Sequence, residues 1–179
     1  DLPVMRTGVL TPGLIDCHTH AVFAGTRADE FMLRNAGVPY VEILEAGGGI
    51  LQTVDAVRAA STRSLAEDLV TAGFEFIRRG VTTLEVKSGY GLTTQDERKQ
   101  LVAIAQAAEE LPCELVPCFL GAHAIPREHR EDRGRYVELV CQEMIPMVAE
   151  QQLARYCDVF CDRGAFDVDE ARQILQAGL

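Results

Sequence analysis

The chain has 179 residues, of which 47% are hydrophobic and 25% are charged, so it is long enough to form one domain with a substantial core. Its 17 basic and 27 acidic residues give a net charge of −10, which argues against nucleic acid or an anionic membrane surface as a partner. The sequence contains no run of about 18 apolar residues, so it predicts no transmembrane helix.

Short apolar runs rich in β-branched residues alternate with helical segments along the chain. Four of these runs are predicted strands: residues 13–20, 81–89, 114–123 and 157–162. They are apolar rather than strictly alternating, which is typical of parallel strands covered on both faces. Strands that alternate with helices form right-handed βαβ units. The sequence therefore predicts an α/β fold, either a small open parallel sheet or the first half of a TIM-like (β/α)8 barrel.

Helix start signals stand between the predicted strands. Three pairs have the spacing of a capping box: Ser64 with Glu67, Thr94 with Glu97, and Asp167 with Glu170. Gly80 is predicted to end the first of these helices. Further helices are predicted over residues 39–46, 50–60, 130–143 and 146–153.

Six cysteines are present, and none forms a CxxC pair. Several lie in apolar runs that are predicted strands. We therefore expect reduced, buried thiols, as in a cytoplasmic protein.

Residues that carry chemistry cluster where the predicted strands end. His18 and His20 close the first strand, Tyr90 follows the second, and His123 ends the third. Barrels and open parallel sheets both build their active sites at this carboxyl end. The arrangement therefore predicts an enzyme.

His18 and His20 are candidate metal ligands. Residues i and i+2 of a strand share a face and lie about 6–7 Å apart, so both imidazoles can turn onto one cation. Asp16 has the same parity and is expected to support them as a hydrogen-bond acceptor. The alternative is two partly buried histidines satisfied by ordinary hydrogen bonds. The position after PGLID, at the mouth of a strand, favours the metal.

Three further residues are candidates for substrate binding. Arg27, in the predicted loop FAGTRADE, can hold a carboxylate through two parallel hydrogen bonds, although a surface ion pair with Asp29 or Glu30 is the simpler interpretation. Tyr90 lies between glycines in SGYG, in a predicted turn, and loop packing is an equal alternative. His123 is a candidate metal ligand, hydrogen-bond donor to a substrate, or capped core histidine.

Six segments together resemble the imidazolonepropionase family, which belongs to the amidohydrolase superfamily. They are PGLIDCHTHAVFAGTRADEF, AGGGI, EVKSGYGLT, FLGAHAIP, CQEMIP and DVFCD. The HxH motif is shared by the whole superfamily, whereas the combination of FAGTR, GGGI, EVKSGYG and FLGAHA is much more specific. The resemblance runs through nearly all of the chain.

The resemblance implies a (β/α)8 barrel that bears a small β-sandwich domain, in a cytoplasmic homodimer. Residues 1–12 would then be the end of the β-sandwich domain, and residues 13–179 about four βα units of the barrel. The implied reaction is the hydrolysis of 4-imidazolone-5-propanoate, a small-molecule substrate, to N-formimidoyl-L-glutamate in histidine degradation. One Zn²⁺ or Fe ion would activate the water.

The resemblance also implies roles for individual residues. His18 and His20 match the first two metal ligands of the family. Substrate-binding positions match Arg27, Tyr90, His123 and, less directly, Tyr40. Some related hydrolases bridge two metals with a carboxylated lysine on the fourth strand, where this chain has none. Lys87 is on the second strand, so a single metal is expected.

The remaining metal ligands and the general base of the family lie on later strands of the barrel. We therefore expect them beyond Leu179, and we expect the chain to be the first half of the enzyme and inactive by itself. One alternative is another amidohydrolase, such as a cytosine-deaminase-like or cyclic-amide hydrolase. The other is a non-catalytic half-barrel that serves as an interaction module.

Overall fold

A computed structural model describes residues 8–39, 42 and 48–179. Its four strands are β1 (Leu14–Asp16), β2 (Val81–Lys87), β3 (Glu114–Ala122) and β4 (Tyr156–Val159). They form one parallel sheet in the order β1-β2-β3-β4, so each strand pairs with the next in the chain. In a (β/α)8 barrel, too, each strand pairs with the strand that follows it in the chain. The sheet is curled, and the predicted half (β/α) barrel is confirmed.

Helices connect the strands. They are α1 (Ala28–Asn35), α2 (Ile50–Ala59), α3 (Thr62–Arg78), α4 (Thr94–Ala108), α5 (Arg133–Leu139), α6 (Ile145–Glu150) and α7 (Val168–Ala177). A 3-10 turn covers Arg127–His129, and a π-helical turn over Val140–Met144 joins α5 to α6. None of the helices in the described part of the chain is long and apolar enough to cross a membrane.

The core lies between the sheet and its helices. Leu84 and Val86 of β2 are fully buried, together with Leu69 of α3 and Ile104 of α4. Burying a Leu, Val or Ile side chain contributes roughly 1.5–3 kcal/mol, so this layer holds the helices on the sheet. Since side chains alternate along a strand, Glu85 and Lys87 lie on the other face of β2.

Two of the predicted capping boxes are wrong, because the N-cap residue lies three residues earlier in α3 and one residue earlier in α4. The N-cap of α3 is Ser61, whose hydroxyl accepts a hydrogen bond from the Ser64 N–H at 3.1 Å. The N-cap of α4 is Thr93, and Glu97 is turned away from the helix end. In each case a second hydroxyl residue close to the predicted cap offers the same hydrogen bond.

Other predicted elements agree with the structure to different degrees. The capping box of Asp167 with Glu170 is confirmed, and so are the helix over 50–60 and Gly80 at the end of α3, with φ at 88°. The predicted helices over 130–143 and 146–153 form one continuous stretch from Arg133 to Glu150, and Pro146 directly follows the π-helical turn that joins its two parts. The predicted helix over 39–46 lies almost entirely outside the described residues.

Two expectations from the sequence are corrected. FAGTRADE is not all loop, since α1 begins at Ala28 inside it. All six cysteines are free thiols, but only Cys118 is buried, Cys17 and Cys161 are exposed and the other three are partly exposed, so the expectation of buried thiols holds for Cys118 alone.

Candidate active site

The predicted site residues that the structure describes come together at the carboxyl edge of the sheet. His20, Arg27 and Tyr90 line one small cavity of about 190 Å³. His123 stacks on His20, with ring centroids 4.5 Å apart and planes 13° apart. It also borders a larger cavity of about 800 Å³, which four arginines line: Arg127, Arg130, Arg133 and Arg163. Tyr40 lies outside the described residues.

Thr19 fixes the segment that carries the two candidate metal ligands. Its carbonyl oxygen accepts a hydrogen bond from the Lys87 N–H at 3.0 Å, and its hydroxyl donates to the Glu85 carbonyl at 2.6 Å. These bonds continue the pairing of β1 with β2 past the end of the strand. The Thr19 side chain points towards β2. The side chains of His18 and His20, its neighbours in the chain, therefore point to the opposite side. Sequence reasoning missed Thr19, although the alternation of side chains along a strand predicts that the middle residue of an HxH motif points away from the two histidines.

Asp16 does not support the imidazoles as expected. Its carboxylate accepts a long hydrogen bond, 3.4 Å, from the backbone N–H of His18. Since the carboxylate is engaged with the backbone, its described role is to shape the turn after β1.

The geometry of His18 and His20 suits two ligands of one metal ion. Their ring centroids are 5.6 Å apart, a separation that metal–nitrogen bonds of about 2.0–2.1 Å can span. The Nδ1 atom of His20 is buried and has no hydrogen-bond partner among the residues that the structure describes. Burial, followed by the charges of His123 and His18, lowers the pKa of His20 to about 4, so the ring is neutral at pH 7. A neutral imidazole with a free nitrogen is the form that binds metal.

The histidine pair supplies only part of a coordination sphere. Within residues 8–39, 42 and 48–179, no group of three or more His, Cys, Asp or Glu side chains is placed to hold a metal ion. A tetrahedral zinc takes four ligands, so the pair accounts for half of them.

His123 has a defined tautomer. Its Nδ1 lies 2.9 Å from the carbonyl oxygen of Gly89, which can only accept, so Nδ1 carries the proton. Burial lowers the pKa of His123, although the Gly89 hydrogen bond opposes this effect. In the neutral ring Nε2 then has a free lone pair. His123 can accept a hydrogen bond from a substrate or bind a metal, but the predicted donor role does not fit this tautomer.

Arg27 and Tyr90 face the same small cavity. The surface ion pair of Arg27 with Glu30 is present, although it is long, with 4.0 Å between Arg27 Nη1 and Glu30 Oε2, while Glu30 Oε1 accepts a hydrogen bond from the Gly49 N–H at 2.7 Å. Burial raises the pKa of Tyr90, and the charge of Arg27 opposes this rise. Because both side chains line this cavity, a ligand that fills it contacts both.

Lys87 is held as an ammonium ion. Its Nζ donates to Asp158 at 2.8 Å and to Glu85 at 2.5 Å, and the side chain is buried. Burial lowers the pKa of Lys87, but these two hydrogen bonds outweigh it and raise the net pKa above its usual value. Carboxylation requires the neutral amine, so this environment opposes it.

Sequence reasoning also missed two buried polar residues of α4. Glu97 was assigned to a helix cap and Gln100 was not considered, yet both are completely buried and bind the loop that carries Tyr90. A detectable signal was present: the two polar residues share a helix face with the buried Leu101 and Ile104.

The chain is similar to several curated proteins that share one name. No family model matches the chain. It is 51% identical over 168 residues to the imidazolonepropionase of Alkaliphilus metalliredigens (strain QYMF), covering 94% of the chain and 40% of that protein. It is 52% identical over 171 residues to the imidazolonepropionase of Myxococcus xanthus (strain DK1622), covering 96% and 41%. For the imidazolonepropionase of Aeromonas hydrophila subsp. hydrophila, the identity is 49% over 173 residues, covering 97% and 42%.

The chain spans about two fifths of the length of the curated relatives it matches. Within that span, the identity extends over nearly all of the chain. The resemblance that the motifs indicate is confirmed: over this span the chain is similar to proteins named imidazolonepropionase.

Proposed function

We propose that the protein containing these residues hydrolyses 4-imidazolone-5-propanoate to N-formimidoyl-L-glutamate. The observation that carries the proposal is the small cavity, which places a guanidinium and a phenol beside a neutral histidine with a free nitrogen. Such a cavity suits a substrate with a carboxylate at one end and a hydrolysable ring at the other. The identity to imidazolonepropionases supports the same substrate.

His18 and His20 would hold one Zn²⁺ or Fe ion. When bound, such an ion supplies a Lewis acid that lowers the pKa of water and polarises an amide carbonyl. The proposal of one ion rather than two is supported by Lys87, which is tied to Asp158 and Glu85 as an ammonium and is on the second strand.

The other site residues bind and orient the substrate in this proposal. Arg27 takes the carboxylate in two parallel hydrogen bonds, and the Tyr90 hydroxyl binds the same group. His123 Nε2 accepts a hydrogen bond from a ring N–H of the substrate, because its Nδ1 proton is already committed to Gly89. Tyr40 is proposed to lie near the site, as the resemblance implies.

The rest of the protein follows the family pattern in our proposal. Residues 1–12 lead from a β-sandwich domain, residues 13–179 form about four βα units, and the general base and remaining ligands come from sequence beyond Leu179. We propose a cytoplasmic homodimer without nucleic-acid or membrane partners. The six free thiols support a reducing compartment.

The direct test is an assay of the protein translated from the complete reading frame. N-formimidoyl-glutamate should form from imidazolone propionate, whereas cytosine and unsubstituted cyclic amides should be poor substrates. Preferential turnover of either alternative would assign the protein to a different amidohydrolase activity. Absence of turnover of all three would support a non-catalytic role.

A pair of variants tests the carboxylate-binding role within that assay. Arg27→Met should raise KM for imidazolone propionate by roughly 10–100-fold, since a charge-assisted hydrogen bond contributes about 1.5–3 kcal/mol. Arg63→Met is the matched control, because Arg63 pairs with Glu67 on the exposed side of α3 and should leave KM unchanged. Equal KM values for the two variants would remove Arg27 from the site.

A further inference from the structure

Two side chains of α4 bind every backbone N–H of the loop Gly89–Leu92. The Glu97 carboxylate accepts from the N–H groups of Gly89 at 2.9 Å and of Gly91 and Leu92 at 2.8 Å each. The amide oxygen of Gln100 accepts from the Tyr90 N–H at 2.9 Å. Glu97 and Gln100 are both 0% exposed, so these bonds are shielded from water.

The buried carboxylate of Glu97 is not explained by the needs of the helix. Thr93 already caps α4. Burial raises the pKa of Glu97, while hydrogen bonds from the Ser88 hydroxyl and from the loop N–H groups oppose the rise. None of these described partners is a basic side chain. Burying a carboxylate is unfavourable unless the group accepts hydrogen bonds. The loop conformation that directs its N–H groups at Glu97 therefore compensates the buried charge.

The loop is pressed closely against its neighbours. Gly89 has φ at 108°, and a Cβ on it would lie 2.8 Å from the Leu120 carbonyl oxygen. A Cβ on Gly91 would lie 2.4 Å from the backbone of Asp96 at the start of α4. Only glycine allows both approaches.

The same loop carries or contacts the candidate site residues. The Gly89 carbonyl accepts the His123 Nδ1 proton, and the Tyr90 ring lies 5.5 Å from His20 and 5.3 Å from His123. Gln100 also donates through Nε2 to the Val22 carbonyl at 2.8 Å, which ties down the segment that follows His20.

We propose that Glu97 and Gln100 are positioning residues that fix the Tyr90 loop and, through the Gly89 carbonyl, hold His123 in its Nδ1-protonated tautomer. The substrate roles of Tyr90 and His123 rest on the proposed function. The loop geometry and the tautomer do not, so they can be tested whether or not the protein turns over imidazolone propionate.

The first test is the ¹⁵N NMR spectrum of the histidine rings in the 179-residue chain. Wild-type His123, identified by loss of its signals in His123→Gln, should show a protonated Nδ1 and an unprotonated Nε2 at pH 7. Glu97→Gln replaces one carboxylate oxygen, which accepts hydrogen bonds, by an NH2 group, which donates them. This NH2 group would face an N–H or a hydroxyl, so at least one hydrogen bond to the loop is lost. It should shift the His123 signals towards a mixture of tautomers. Glu109→Gln makes the same change at the exposed end of α4 and should leave them unchanged.

A second variant covers the case in which Glu97→Gln does not fold. Gln100→Met keeps a similar side-chain volume but releases the Tyr90 N–H and the Val22 carbonyl, and it should move the same signals in the same direction. In the complete protein, both variants should lower kcat/KM by roughly 10–100-fold, because a small displacement of a positioning group has effects of this size. Folded variants with wild-type His123 signals and wild-type kinetics would overturn the proposal.

Discussion

The Lys87 ammonium joins two strands that are not neighbours in the sheet. Its Nζ on β2 lies 2.8 Å from Asp158 Oδ2 on β4, although β3 lies between these strands. This contact is possible because the sheet is curled. The bond also places a cation between the carboxylates of Asp158 and Glu85, which would otherwise face each other on the inner side of the half-barrel.

The variant Lys87→Met tests this ion pair. Burial raises the pKa of Asp158, but the hydrogen bonds from Lys87 and from the Val159 N–H, together with the nearby positive charges, outweigh burial, so the net pKa is below its usual value. A carboxyl group with a lowered folded-state pKa stabilises the fold above its unfolded pKa of about 3.9, and this contribution is lost as pH falls through the folded pKa. The variant should therefore lose roughly 2–4 kcal/mol of unfolding free energy at pH 7, and less below pH 4.

Urea denaturation at several pH values measures this effect. The control is Arg172→Met, which breaks an exposed ion pair with Asp169 within α7 and should cost about 1 kcal/mol or less. If the loss for Lys87→Met were the same at every pH, the paired carboxylates would not be its cause.

Thr19→Val tests the anchor between the candidate metal ligands. The substitution keeps the side-chain shape and removes the hydroxyl bond to the Glu85 carbonyl. It should lower the unfolding free energy by about 1–2 kcal/mol, and weaken metal binding by the complete protein by roughly 10-fold or more. Thr71→Val removes an exposed hydroxyl bond within α3 and is the control. Metal affinity that is the same in both variants would contradict the anchoring role.

Gly91→Ala tests the close approach of the Tyr90 loop to α4. The added Cβ would meet the backbone of Asp96 and Glu97 at 2.4 Å, so the loop or the helix must shift. We expect a loss of about 1–3 kcal/mol in unfolding free energy. Gly134→Ala, in α5, meets nothing closer than 3.8 Å and should be neutral or stabilising. Thermal unfolding that ranks the two variants in the opposite order would refute the described packing.

The strands were predictable because their physical signal is local. Parallel strands covered on both faces are apolar runs, and the runs at residues 81–89 and 114–123 contain β2 and β3. The helix ends were less predictable because neighbouring hydroxyl residues compete for one capping position. At α3, Ser61 and Ser64 both offer the required oxygen, and only the packing of the helix selects Ser61.

The part of the candidate site that lies at the carboxyl ends of the strands was predictable from the sequence. His20, Tyr90 and His123 meet because the carboxyl ends of parallel strands share one edge. The supporting residues depend on long-range contacts that no local pattern shows. Lys87 and Asp158 are 71 residues apart, and Gln100 reaches Val22 across 78 residues.

We propose that His18 and His20, rather than His123, hold the metal. The His20 ring centroid lies 5.6 Å from that of His18 and 4.5 Å from that of His123. The most direct measurement is the metal content per chain of the complete protein after dialysis, for wild type and for His18→Ala, His20→Ala and His123→Ala. We predict about one ion per chain in wild type and His123→Ala, and a large loss in the other two. Metal retained in His20→Ala, or lost in His123→Ala, would contradict the account.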